Sequence, residues 1–227
     1  MTAAPERVLR RVDLGRIAYA EAWELQRRLV AWRRTAPGPD LLLLCEHDEV
    51  VTQGRRAQGK GRDPGEVAAV RAAGIPVHEV ERGGAATYHG PGQLVGYPIV
   101  SLEPGERDLH AFLRHLEDAL IQPLSALGLD AGRREGLTGV WVGERKVASI
   151  GIACRGWVTY HGFALNLATD LTRFRLFRPC DLEASVMTSL ADLGVPAPDR
   201  DAVAAAAHAT LAEALGRRAE RGALPAG

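Results

Sequence analysis

The sequence contains three cysteines, the side chains best suited to act as nucleophiles. Cys45 lies inside an apolar run and Cys154 ends another, so both are interpreted as small, buried packing residues. Cys180 follows Pro179, at the end of an arginine-rich segment, residues 173–178. Positive surroundings favour the thiolate, which is the reactive form of cysteine. Cys180 is therefore the candidate nucleophile, although a structural role is the more frequent one for a lone cysteine.

Lys146 is the candidate base. It stands at the start of a run of apolar or small residues, 147–151, which is typical of a β-strand. An amine close to a thiol can take up its proton. Viewed alone, Lys146 is more simply a solvated lysine that protects the edge of a sheet.

A third feature is the glycine-rich segment from Arg82 to Gln93. Dense glycine costs conformational entropy, and close approach of the backbone to a ligand is one reason to accept that cost. A tight loop at a sheet edge explains the segment equally well. The tetrapeptide Thr-Tyr-His-Gly occurs twice, at residues 87–90 and 159–162, with unrelated flanks. It is not a structural repeat, but the two copies could converge on one site.

Several kinds of site are excluded by the motifs that the sequence lacks. It has no Walker phosphate loop, no HExxH, no GxSxG and no dinucleotide fingerprint. The cysteines are odd in number, widely spaced and without a CxxC pair, which argues against a disulfide framework or a zinc ribbon. His110 and His115 are five residues apart on a predicted helix, off a common face, so they are not a metal-binding pair.

The surrounding pattern predicts the elements that must position these residues. Continuous or alternating apolar runs predict strands, and apolar residues at helical spacing predict helices. The predicted strands are 8–14, 41–45, 76–80, 93–102, 140–142, 146–153 and 163–167. The predicted helices are 17–32, 64–73, 109–127, with a kink or break at Pro123, and 201–215. Strands alternate with helices at first and hairpins follow, which indicates a mixed α/β (α+β) fold with a largely antiparallel sheet flanked by helices.

Composition sets the wider limits. The chain has 227 residues, 46% hydrophobic and 25% charged, with a formal net charge of zero. We expect a single domain, 1–227, with a loose tail from about residue 217. The balanced charge does not favour nucleic acid, and the apolar runs are too short to span a membrane. Without a signal-peptide pattern, and with cysteines that need not pair, a soluble cytoplasmic protein is expected.

Taken in order, six blocks of this sequence resemble the lipoyl(octanoyl) transferase family of lipoate biosynthesis. They cover about residues 41–180 and are specific in combination. The blocks are Cys45-Glu46-His47 with Thr52-Gln53-Gly54; Arg82-Gly83-Gly84 with Thr87-Tyr88-His89-Gly90-Pro91-Gly92-Gln93-Leu94; Gly139-Val140-Trp141-Val142-Gly143 with Lys146; Ser149-Ile150-Gly151; His161-Gly162-Phe163-Ala164-Leu165-Asn166; and Pro179-Cys180. The resemblance implies a fold similar to the catalytic domains of lipoate ligases and biotin ligases.

The resemblance also assigns roles. By position, Cys180 matches the family's nucleophile and Lys146 its activating partner. The residues that match the acyl-binding walls are Arg82, Gly83, Gly84, Ala85, Ala86, Thr87, Tyr88, His89, Ser149, Ile150, Gly151, Gly162, Phe163 and Ala164. His161 and Asn166 are supporting residues. For His89 and His161, orientation of the acyl group and structural hydrogen bonding remain equally open. Asp181 stands where the family usually has glycine, and its carboxylate is expected to oppose thiolate formation unless Arg178 or Lys146 offsets it.

The implied reaction moves octanoyl from acyl carrier protein, through a Cys180 thioester, to the acceptor lysine of a lipoyl domain. Lys146 acts as general acid and base in both halves of a ping-pong reaction. The implied acceptors are the lipoyl domains of 2-oxoacid dehydrogenases and the glycine cleavage H protein. No ATP, metal or other cofactor is expected, and a monomer is the default. The alternatives are an ATP-dependent lipoate ligase, a non-catalytic lipoyl-binding protein and an amidotransferase acting between lipoyl proteins.

Two basic segments suggest where the acidic carrier docks. Arg55, Arg56, Lys60 and Arg62 share one loop, and a second set, Arg173, Arg175 and Arg178, precedes Cys180. We expect these side chains to bind the carrier and its phosphopantetheine arm. A solvated basic surface is the commoner explanation of such runs.

Overall fold

The computed structural model describes residues 6–58, 64–179, 182–195 and 198–225. The first half of the chain forms β1 (Val8–Arg16), α1 (Tyr19–Thr35), β2 (Asp40–Glu46), β3 (Val50–Gln53), α2 (Pro64–Ala72), β4 (Val77–Glu79), β5 (Ala86–His89) and β6 (Gln93–Ile99). The second half forms α3 (Leu109–Ala126), β7 (Ala131–Arg134), β8 (Leu137–Val142), β9 (Arg145–Arg155), β10 (Val158–Asn166), α4 (Arg200–Ala214) and β11 (Arg218–Arg221). Short 3-10 turns connect several of these elements.

The main sheet has eight strands in the order β11-β1-β2-β6-β10-β9-β8-β7. β1 pairs in parallel with both of its neighbours, and every other pair in this sheet is antiparallel. The prediction of a mixed α/β fold with a largely antiparallel sheet is therefore confirmed. A second sheet of three short strands, in the order β4-β3-β5, was not predicted, although the strand predicted at 76–80 corresponds to β4.

The apolar run of β2 shows why helices cover both faces of the main sheet. Successive side chains of a strand point to opposite faces. Leu42 and Leu44 pack in the core that includes α3 and α4, whereas Leu41 and Leu43 pack in the core that includes α1. Because all four leucines are fully buried, the strand reads as a continuous apolar run instead of an alternating one.

Helix α3 begins where its cap predicts and continues through Pro123. Asp108 accepts hydrogen bonds from the backbone amides of His110 and Ala111, and so caps the first turn. Pro123 falls in the last turn, three residues before the end of the helix at Ala126. Of the two predicted effects of Pro123, a break in the helix is therefore wrong, and a kink stays a prediction.

The tail predicted to be loose from about residue 217 is partly ordered in the structure. β11 pairs in parallel with β1. Arg217 is buried, and its guanidinium donates to Asp40 at 3.2 Å and to Glu106 at 2.7 Å. These ion pairs fix the chain at the point where α4 leads into β11, a contact that the local sequence does not reveal.

Within the described parts of the chain, no helix combines the length and apolarity that crossing a bilayer requires.

Candidate active site

A cavity lies between the main sheet and the glycine-rich segment; we call it the slot. Its lining consists of Tyr19, Arg82, Gly84, Thr87, His89, Tyr97, Ser149, Ile150, Gly151, His161, Gly162, Phe163 and Ala164. Most of the residues predicted for the acyl-binding walls are in this set. Both copies of the Thr-Tyr-His-Gly tetrapeptide contribute to it, the first through Thr87 and His89 and the second through His161 and Gly162.

The strands beneath the slot carry small residues. Gly151 on β9 pairs with Gly162 on β10, and Ser149 pairs with Ala164. A Cβ added at Gly162 would lie 2.2 Å from the carbonyl oxygen of Gly96, so no larger residue fits there. The small residues therefore let neighbouring backbone approach β9 and β10 closely.

The roof of the slot is the glycine-rich segment, fixed by backbone hydrogen bonds. The amide of Gly83 donates to the carbonyl of Ile152 on β9 at 2.9 Å. Arg82 is buried, and its guanidinium donates to the Thr52 carbonyl at 2.7 Å and to the carbonyl of Gly83 at 3.0 Å. Arg82 therefore holds the segment in shape from inside.

Three of the predicted wall residues point elsewhere. Ala85 and Ala86 are buried but do not line the slot, and Ala86 packs in a separate core under the small sheet. Tyr88 packs edge-on against Phe174, with ring centroids 5.5 Å apart, and its hydroxyl donates to Glu49. Because side chains alternate along β5, Thr87 and His89 face the slot while Tyr88 faces away.

His89 is a neutral, buried group at the slot. The side-chain nitrogen of Asn166 donates to the Thr188 carbonyl, so its oxygen accepts from the side-chain nitrogen of Gln93. The remaining oxygen of Gln93 accepts from His89 Nδ1 at 2.8 Å. Burial, reinforced by nearby His47, lowers the pKa of His89 to about 3. Asn166, predicted as a supporting residue, anchors this network.

His161 lies in the left-handed region, with φ of 55°, which is uncommon for a residue other than glycine. Its backbone amide donates to Gln26 at 2.8 Å, which holds β10 against α1. The side chain is 2% exposed, and its Nε2 lies 3.6 Å from a carboxylate oxygen of Glu81. Burial lowers the pKa of His161. The unusual backbone conformation places this imidazole in the lining of the slot.

Tyr97 and Tyr19 line the slot but were not predicted from the sequence. The Tyr97 hydroxyl donates to His47 Nε2 at 2.7 Å, because His47 Nδ1 already donates to the carbonyl of Ile17. Tyr19 stacks on His89, with ring centroids 5.8 Å apart. Neither tyrosine belongs to a spaced motif, and the crossing of α1 over β6 brings them together.

Lys146 lines a second, open cavity, which we call the channel. The lysine is 3% exposed, and its amine lies 5.6 Å from the centre of the Trp141 ring. No carboxylate of the described residues lies within 4.0 Å of the amine. Gly139 packs on this side chain, since a Cβ there would lie 2.6 Å from Lys146 Cε. The notion of a solvated edge lysine is therefore wrong.

The channel and the slot share three lining residues, Gly84, Ile150 and Gly151. Gly83 lines the channel only. On β9, the pairing with β8 ends at Ala148. The next residues of β9 are therefore available to both cavities. The arrangement suits a linear molecule that passes from one cavity into the other beside Lys146.

Cys180 and Asp181 lie outside the described residues, as do Lys60 and Arg62. Leu182, two residues after Cys180, lines the channel. Further along, the amide of Thr188 donates to the carbonyl of Lys146 at 3.0 Å. The chain that follows Cys180 is thus attached to the strand that carries Lys146.

The other cysteines behave as the sequence predicted. Cys45 is fully buried, and burial raises the pKa of its thiol to about 12. Cys154 is partly buried, and burial raises the pKa of its thiol as well. Neither thiol lines the slot or the channel.

The arginines before Cys180 are partly neutralised. Arg173 lies 2.7 Å from a carboxylate oxygen of Glu49, and Arg178 lies 3.5 Å from Glu183. These contacts weaken the positive setting that the sequence suggested for the thiol. In the described ranges, no group of three or more His, Cys, Asp or Glu side chains is placed to hold a metal ion.

Comparison with known proteins agrees with this geometry. The family model described as the lipoyl protein ligase A/B catalytic domain matches residues 18–212. The octanoyltransferase of Solibacter usitatus is 51% identical over 185 residues, which are 82% of this chain and 83% of that protein.

Solved structures show the same fold at low sequence identity. Lipoate-protein ligase A bound with ATP has a TM-score of 0.73 at 20% identity, covering 97% of this chain and 90% of that one. Biotin protein ligase from Aquifex aeolicus has a TM-score of 0.52 at 13% identity, covering 92% and 69%. The fold predicted from the six blocks is confirmed. By the extent of these matches, the chain belongs to the lipoyl(octanoyl) transferase family, within the lipoyl protein ligase A/B catalytic-domain group.

Proposed function

We propose that this protein transfers an octanoyl group from octanoyl-acyl carrier protein to the acceptor lysine of a lipoyl domain. The observation that carries the proposal is the junction of two cavities beside a buried lysine. The slot is apolar along Gly151, Gly162 and Ala164 and suits a short acyl chain, with each buried methylene contributing about 0.8 kcal/mol. The high identity to an octanoyltransferase supports this choice of acyl group.

In the first half-reaction, the Cys180 thiolate attacks the carbonyl carbon of the donor thioester. Lys146 takes the proton of the thiol and returns it to the departing donor sulfur as the carbon–sulfur bond breaks. One thioester replaces another, so the octanoyl group remains activated on Cys180. Support comes from Leu182, since this near neighbour of Cys180 in sequence lines the same channel as Lys146.

In the second half-reaction, the acceptor lysine attacks the Cys180 thioester. An ammonium ion has no free electron pair, so Lys146 must first accept a proton from the incoming lysine. The new amide forms as the Cys180 thiolate leaves; Lys146 keeps the first proton beside that thiolate, and the second proton lost by the attacking nitrogen passes to solvent. The acyl group of a thioester is already activated, so the proposed reaction needs no ATP and no metal.

The proposed acceptors are the lipoyl domains of 2-oxoacid dehydrogenases and the glycine cleavage H protein. We propose that a single domain performs the reaction as a monomer in the cytoplasm. The fold alone is shared with lipoate ligases, and omission of ATP separates the two activities: a ligase stops, whereas the proposed transferase continues.

Intact-mass measurement tests the covalent step. After incubation with octanoyl-acyl carrier protein, wild type should gain one octanoyl group that hydroxylamine removes, and Cys180→Ala should gain none. Cys154→Ala removes a partly buried thiol outside both cavities and serves as the matched control. Lys146→Ala should acylate slowly. Normal transfer by Cys180→Ala would show that the thioester mechanism is wrong.

A further inference from the structure

The channel extends beyond the three residues that it shares with the slot. Its described lining includes the apolar side chains of Leu113, Leu137 and Leu182, and two basic side chains, Arg56 and Lys146. No acidic residue is among the described residues that line it. Such a lining suits an uncharged chain that ends in an anion.

We propose that the channel receives the arm of the thioester donor and that Arg56 binds the phosphate at the outer end of that arm. The inference rests on the proposed function, because it takes the donor to be a phosphopantetheine thioester. The acyl chain then lies in the slot and its carbonyl lies near Ile150, which lines both cavities. The sulfur faces Lys146, and the arm leaves past Leu182.

Arg56 is held in place by the segment that forms the roof of the slot. Its backbone amide donates to the carbonyl of Gly84 at 3.1 Å. The preceding residues are fixed in the same way, since the amide of Gly54 donates to Ala85 and that of Arg55 to Arg82. The backbone that carries Arg56 is therefore positioned relative to the slot, and an arginine guanidinium can form paired hydrogen bonds with a phosphate.

Arg55 provides an internal comparison. It is as exposed as Arg56 and belongs to the same 3-10 turn, Arg55–Ala57. Its side chain does not line the channel, and its charge acts instead on Tyr160, outside the channel lining. The structure thus separates two neighbouring arginines that the sequence treats as equivalent members of one basic loop.

The experiment compares two small donors, the octanoyl thioesters of 4′-phosphopantetheine and of pantetheine, which differ only in the phosphate. We expect wild type to prefer the phosphorylated donor about tenfold in kcat/KM for acylation, the order expected for one charge-assisted hydrogen bond. Arg56→Ala should lower this ratio to about one, and Arg56→Lys should keep part of it. Arg55→Ala, the matched control, should keep the wild-type ratio.

The outcomes separate the inference from the function on which it rests. Equal rates for both donors in wild type, or an unchanged preference in Arg56→Ala, would overturn the assignment of Arg56 while leaving octanoyl transfer intact. An equal loss in Arg55→Ala and Arg56→Ala would also overturn it, since it would indicate a diffuse charge effect. If wild type takes octanoyl from neither thioester and not from octanoyl-acyl carrier protein, both the function and the inference are wrong.

Discussion

Replacement of His89 by asparagine should make the protein less sensitive to acid. Asparagine does not titrate, and its amide nitrogen can take the place of His89 Nδ1 as donor to Gln93. The pKa of His89 in the folded protein is about 3, below the ordinary value of 6.5. Between these values the unfolded chain binds a proton that the folded protein excludes. Stability contributed by the neutral imidazole is therefore present above pH 6.5 and lost as the pH falls toward 3.

The magnitude follows from proton linkage. For a single group with these two pKa values, the free energy of unfolding should fall by about 2 kcal/mol between pH 7.5 and pH 5. Burial also lowers the pKa values of His47 and His161, so wild type should lose more than this in total. The quantity that isolates His89 is the difference between wild type and His89→Asn across the same pH interval.

Urea denaturation at pH 7.5, 6.5, 5.5 and 5 measures that difference. We expect His89→Asn to lose about 2 kcal/mol less than wild type between the extremes, whatever its stability at pH 7.5. His110→Asn, at an exposed position in the first turn of α3, should follow the wild-type curve. Parallel curves for wild type and His89→Asn would refute the conclusion that the imidazole of His89 is buried in its neutral form.

Two further changes test other parts of the structure. Glu117 is fully buried and accepts hydrogen bonds from Arg114, Arg133 and the Gly139 amide. Glu117→Gln should therefore lower the free energy of unfolding, measured by urea denaturation, by about 1–3 kcal/mol. An unchanged denaturation midpoint would contradict this role. Reversing the charges of Arg55 and Arg56 to glutamate should slow acylation by octanoyl-acyl carrier protein, most strongly at low salt, where screening is weakest. Stopped-flow acylation rates equal to those of wild type at every ionic strength would show that these charges do not dock the carrier.

Most strands of the main sheet could be predicted because the residues of each strand show the pattern of a buried strand. β2 is a continuous leucine run, and β9 starts after a turn at Gly143. The small sheet was missed because Thr52, Gln53, Thr87 and His89 are polar, and their burial depends on residues far along the chain. β11 was missed for a similar reason, since its residues are charged and its pairing with β1 depends on the ion pairs of Arg217.

The candidate site was only partly predictable. The six blocks contain most of the residues that line the slot. The two identical tetrapeptides within them, however, differ in structure. In the first tetrapeptide, strand alternation turns Thr87 and His89 toward the slot. In the second, Thr159 instead bonds to the carbonyl of Pro98, and only the left-handed backbone at His161 brings that imidazole into the lining. A period-two pattern cannot predict such a conformation.

The boundary between the slot and the channel shows why residues with reactive side chains did not predict the shape of the candidate site. Gly84, Ile150 and Gly151 line both cavities, so backbone and one aliphatic side chain form much of that boundary. Glycine leaves no side-chain signal, and its value at Gly151 lies in the close approach of the Gly83 carbonyl that it permits. Beyond the boundary, the slot is lined by the rings of Tyr97 and His89. These rings lie on strands of different sheets, β6 and β5, and each packs against His47, an arrangement that requires the whole fold.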